Sequence, residues 1–141
     1  MAAARGKGPP LGCARKHIAD WRMNIMADSL PLSRVTQAGQ MIFTSGQLGR
    51  GADGQIVAGG FANQARQALE NLRAAVESTG CNLADVVKTT VWLTDRAYNA
   101  EFNMVYREFF AHPFPARSVV ISDLAAPEAL IEIEAIAWQE K

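Results

Sequence analysis

Histidine and cysteine are scarce in this 141-residue chain, with two of each. Cys13 and Cys81 are too few to staple a scaffold and fit a reducing compartment. His17 and His112 have no second ligand at metal spacing, which argues against a histidine-based metal site. No apolar run approaches the ~20 residues that cross a bilayer. No glycine-rich loop is followed by the Lys and Ser/Thr of a phosphate-binding loop. A charge of one sign is missing too: 14 basic residues meet 14 acidic ones. Dedicated nucleic-acid binders normally carry a strong basic excess. Cys81 follows Gly80 and has no His or Asn/Asp mate, so it reads as a packed thiol rather than a nucleophile.

The balance of charge is a sum of unlike parts. Residues 1–29 hold five basic and two acidic residues, a net +3, and residues 30–141 hold nine and twelve, a net −3. Positions 1–16 carry Gly6, Gly8, Pro9, Pro10 and Gly12, with Leu11 their only large aliphatic residue. Such a stretch buries too little apolar area to offset its ordering entropy. Residues 1–29 are therefore expected to be a flexible extension, or an overextended start ahead of Met23 or Met26. A transit peptide is the third reading, because no acid precedes Asp20. Ile18, Trp21 and Ile25 leave room for a short docked helix. No apolar core of a secretory signal is present, so the cytoplasm is the expected compartment.

The remainder, 30–141, reads as one domain. Arg34 to Gln47 is expected to form a hairpin, with a turn at Ala38-Gly39-Gln40 and the β-prone run Met41-Ile42-Phe43-Thr44. Gly49 to Gly60 is turn and loop. A helix is expected over about 61–79. Phe61, Ala65, Ala68, Leu69, Leu72, Ala75 and Val76 make its apolar stripe, with Gln64, Arg66, Glu70, Arg73 and Glu77 opposite. Gly80 suits the left-handed end of that helix. Asp85 to Asp95 reads as a central strand. A second helix starts near Asn99 as its cap, buries Phe102, Val105, Tyr106, Phe109 and Phe110, and stops before Pro113 and Pro115. Ser118 to Ser122 and Leu130 to Trp138 close the chain as strands.

The order ββ-α-β-α-ββ predicts an α+β fold with both helices on one sheet face. In the last strand, Ile131, Ile133, Ala135 and Ala137 point one way and Glu132, Glu134, Ile136 and Trp138 the other. Two helices on one side leave the second set uncovered. Large apolar groups mixed with carboxylates on an open face point to burial against a second copy of the chain.

Three segments carry candidate chemistry: Phe43-Thr44-Ser45-Gly46-Gln47, Phe114-Pro115-Ala116-Arg117-Ser118 and Ile131-Glu132-Ile133-Glu134-Ala135. An arginine, a carboxylate and a hydroxyl corner suit a small carboxylate-bearing substrate, because guanidinium's planar fork matches a carboxylate. Plainer readings stand beside this. Arg117 pairs with Glu132 or Glu134 across neighbouring strands, Ser45 is an ordinary turn residue, and Asn103 is a solvent-facing position.

These segments, together with Asp85-Val86-Val87-Lys88-Thr89-Thr90-Val91, closely resemble the RidA/YjgF family in order and spacing over roughly residues 30–141. The resemblance implies a chorismate-mutase-like subunit, a homotrimer with a central barrel, and clefts between subunits. It implies hydrolysis of 2-enamine and 2-imine acids such as 2-aminoacrylate to 2-keto acids and ammonia, without metal or organic cofactor. By the same resemblance Arg117 clamps the substrate carboxylate and Glu132 holds and activates water. Ser45 and the Gly46 backbone form the polar corner, and Asn103 lines the cleft. Two positions depart from the best-known members: Leu32 replaces a tyrosine, and Val119 replaces a cysteine and keeps only a backbone role. These departures motivate a binding-only alternative. An endoribonuclease is the remaining alternative, and the −3 body weighs against it.

Overall fold

A computed structural model describes residues 30–140. The readings of residues 1–29, including Cys13 and His17, lie outside the described residues. The chain runs β1 (Val35–Ala38), β2 (Met41–Thr44), β3 (Gln47–Leu48), α1 (Phe61–Glu77), β4 (Val86–Leu93), α2 (Asn99–Phe109), β5 (Ala116–Ile121) and β6 (Ile131–Trp138). The strands make one sheet in the order β1-β2-β6-β4-β5, with β3 also on β6. Every pairing is antiparallel except β4 with β5. That pair is parallel because α2 carries the chain back between them. The fold is α+β, with two helices and a mixed sheet.

One core joins the helices to one sheet face. Ala65, Ala68, Leu69, Leu72 and Val76 of α1 and Phe102, Val105 and Tyr106 of α2 pack with Val91, Leu93, Ile131 and Ile133. The alternation of β6 holds: Ile131, Ile133, Ala135 and Ala137 are buried. Gly39 takes φ +61° in the two-residue β1–β2 turn. Gly80 takes φ +87°, two residues past the α1 cap residue Ser78.

Three expectations are corrected. Gln64 is not on the outer face of α1 but buried, where its amide donates to the Glu128 carbonyl at 3.1 Å and its oxygen accepts from the Leu130 N–H at 2.8 Å. It thereby holds the turn that launches β6. Asn99 does not cap α2. The chain enters through a 3-10 turn, Arg96–Tyr98, whose cap is Asp95, accepting from the Ala97 N–H at 2.8 Å. Three strands precede α1, not the two of the order ββ-α-β-α-ββ. After β2 the chain breaks at Ser45-Gly46 and returns to β6 as β3.

That break is a bulge. Phe43 lies opposite Ile136 and Gln47 opposite Ile133, so three residues on one side face two on the other. An extra residue bends a strand and re-aims its side chains. The Thr44 hydroxyl accepts the Ala135 N–H at 3.0 Å, which satisfies a backbone donor that the bulge would otherwise orphan.

Candidate active site

Arg117 stands on the edge strand β5, in register with Thr89 of β4. Its guanidinium donates to Asn103 Oδ1 at 2.6 Å. It also lies 4.8 Å from the ring centroid of Tyr106 and 5.4 Å from that of Phe102. A guanidinium over a ring gains ~0.5–2 kcal/mol, more as water is excluded. Tyr106 is in turn fixed by Thr89, with the two hydroxyl oxygens 3.0 Å apart in the buried interior. Burial raises the Tyr106 pKa, against the opposing pulls of the Thr89 bond and the Arg117 charge. The phenol therefore stays neutral at physiological pH and acts as a rigid shelf for the cation.

Among the described residues the ion pairs are Arg66–Glu108 and Arg73–Glu70. Arg117 is in neither. The plainer reading of Arg117 as a cross-strand partner of Glu132 or Glu134 fails on topology, because β4 lies between β5 and β6. Nor is Asn103 a purely solvent-facing residue. One turn of α2 places it over β5, and its side chain orients the arginine. Asn103, Tyr106, Arg107, Phe114, Pro115 and Arg117 line a cavity of about 220 Å³. Val119 follows two positions along β5, on the side of Arg117.

Glu132 belongs to a different group. It projects from the open face of β6, opposite Trp92 of β4. With Trp92, Ser122, Asp123, Leu124 and Ala125 it lines a second cavity of about 240 Å³. Partial burial raises the Glu132 pKa, and the charge of Glu134 two residues along raises it further. Gly46 lies against it: a Cβ built on Gly46 would overlap Glu132 Oε1. The bulge thus brings the glycine backbone directly onto the carboxylate. Ser45 stands beside it, and its hydroxyl donates to the Ser33 carbonyl at 2.6 Å. That bond ties down the segment carrying Leu32, which is exposed.

Gly46→Ala tests this contact. The clashing atom is the far end of a flexible side chain, so the melting temperature should change little. Turnover should fall about tenfold or more, because a carboxylate displaced by an ångström loses its aim. Equal kcat in the variant would detach Gly46 from function.

The site residues therefore form two sets on opposite faces of the sheet. Arg117, Asn103 and Val119 are on the helix-covered side at the β5 edge, and Glu132, Gly46 and Ser45 are on the open side. A single copy does not bring Arg117 and Glu132 together. Tyr106, Trp92 and Arg107 line these cavities without being singled out by the sequence pattern. Tyr106 carries the one hydroxyl in the α2 stripe, and a buried hydroxyl needs a partner, so it was the signal available.

The profile of the family described as endoribonuclease L-PSP matches residues 24–139. The chain belongs to the RidA/YjgF family. A RutC family protein of Pyrococcus horikoshii is 42% identical over 111 residues, covering 78% of this chain and 88% of that protein. Human 2-iminobutanoate/2-iminopropanoate deaminase is 38% identical over 110 residues, covering 77% of this chain and 80% of that protein. The solved structure of E. coli TdcF with bound serine is 37% identical, with a TM-score of 0.74, covering 80% of this chain and 91% of that one. Among the described residues no group of three or more His, Cys, Asp and Glu could hold a metal ion. No described helix is long and apolar enough to cross a membrane.

Proposed function

We propose that this RidA/YjgF protein hydrolyses 2-imino acids, and their enamine tautomers, to 2-keto acids and ammonia. The observation that carries this reading is the Arg117 guanidinium, aimed by Asn103, shelved on Tyr106, and without a carboxylate partner among the described residues. It suits a planar carboxylate. The imine carbon beside that carboxylate is already electrophilic, so fixing the substrate and orienting water suffices. Glu132 takes a proton from water as the oxygen attacks the carbon of the protonated imine and the C=N electron pair moves onto nitrogen. The carbinolamine then collapses. Glu132 returns its proton to the leaving nitrogen, the C–N bond breaks as the carbonyl forms, and the departing ammonia carries off the hydroxyl proton as ammonium. A carboxylate with a raised pKa suits both halves of this exchange.

The site is completed by a second copy. Arg117 of one subunit faces Glu132 of its neighbour across a cleft of the proposed homotrimer. Phe43, Val120 and Trp138 on the open face are 37%, 41% and 42% exposed, which supports a partner there.

Ammonia release from 2-iminopropanoate, generated from alanine by an amino-acid oxidase, should be accelerated by the protein over the spontaneous rate. Tight binding of the keto acid without acceleration would instead favour a binding module. Glu134→Gln should shift the acid limb of kcat/KM to lower pH. The base works deprotonated, so activity rises with pH through its pKa, and removing the neighbouring charge lowers that pKa. An unmoved acid limb would take Glu132 out of the base role.

A further inference from the structure

The cavity that holds Arg117 contains a second guanidinium with no use in this chemistry. Arg107 lies one turn after Asn103 on α2 and lines the same space with Tyr106, Phe114 and Pro115. An exposed helical arginine commonly meets a carboxylate three or four residues away. Around Arg107 those positions are Asn103, Met104, Phe110 and Ala111. The adjacent Glu108 is occupied by Arg66, which donates to both its oxygens at 2.9 Å. No carboxylate lines the cavity. Arg107 also stands in the last turn of α2, where a cation suits the helix dipole. That role needs only the charge, and does not account for a place in the wall of the cavity.

We propose that Arg107 binds a second carboxylate, on the substrate's side chain, and that short 2-imino diacids are the preferred substrate class. The inference rests on the imine-hydrolase reading. Arg117, half-buried and held by Asn103, takes the carboxylate next to the imine carbon. Arg107, exposed at the mouth, takes the acid at the far end. Phe114 and Pro115 offer an apolar wall for the methylene groups between them.

The test compares two imines made by amino-acid oxidases: the monoacid imine of alanine and the diacid imine of aspartate. Full-length wild-type protein should show the higher kcat/KM on the diacid. Arg107→Ala should lower the diacid-to-monoacid ratio of kcat/KM about tenfold or more, chiefly through KM, since a charge-assisted hydrogen bond is lost. Arg107→Lys should restore part of the ratio, and Arg107→Glu should depress it further. A wild-type enzyme no better on the diacid, or a ratio unmoved by Arg107→Ala and Arg107→Glu, would overturn the inference and leave the hydrolase reading standing. No acceleration of either imine would end both.

Discussion

Arg117→Ala is expected to lower kcat/KM for 2-iminopropanoate hydrolysis at least a hundredfold, with the fold intact. Hydrogen bonds to charged groups contribute ~1.5–3 kcal/mol each, and a forked contact makes two of them. Each 1.36 kcal/mol in the barrier is about tenfold in rate, so the fall should lie at about 10² to 10⁴. Stability should change far less. Arg117 sits on an edge strand, and its removal costs a ring contact of ~0.5–2 kcal/mol and leaves Asn103 beside an open cavity. Lysine should not rescue the activity. It keeps the charge but loses the planar fork and the stack on Tyr106. The measurement is steady-state kinetics alongside thermal melting. Wild-type turnover in a folded Arg117→Ala protein would remove the clamp from the mechanism.

Glu132→Gln should lower kcat by about 10²–10⁴, the usual range for a positioned general base, with a much smaller change in KM. Glutamine keeps the shape beside Gly46 but accepts no proton at working pH. The melting temperature at neutral pH should hold or rise slightly. Burial and Glu134 both disfavour the charged carboxylate. The folded-state pKa is therefore raised, and the fold bears a penalty above that pKa that a neutral amide does not. Loss of kcat accompanied by collapse of the fold would instead make Glu132 a structural residue.

Much of this fold is legible in local pattern. The stripes of α1 and α2, the β-branched run of β4 and the alternation of β6 place their residues on the correct faces. The alternation also puts Glu132 and Glu134 on the open side. What escapes local pattern depends on distant partners. Gln64 reads as a surface residue because its partners lie 64 and 66 residues away. α2 does start at Asn99 as its pattern predicts, but the capping escapes, because the 3-10 turn ahead of it and that turn's cap Asp95 leave no periodic signal. Two-residue β3 exists only because β6 runs past it.

The site follows the same division. The segments that hold Ser45, Gly46, Arg117 and Glu132 stand out by their residue chemistry, and the resemblance adds their roles together with Asn103 and Val119. Their sorting into two sets required the order β6-β4-β5, which no segment carries alone. That order removed the Arg117–Glu132 pair within one chain, and with it made a second copy necessary for the proposed chemistry.

The most direct measurement is complementation between two inactive variants. Arg117→Ala and Glu132→Gln, carrying different affinity tags, are co-expressed, and mixed oligomers are purified through both tags. If Arg117 and Glu132 act across an interface, some interfaces of each mixed ring pair an intact Arg117 with an intact Glu132. A mixed ring of three holds one such interface in three whichever variant is in excess, so the purified mixed oligomers should return to about a third of wild-type activity. Mixed oligomers as inactive as either parent would contradict the shared site.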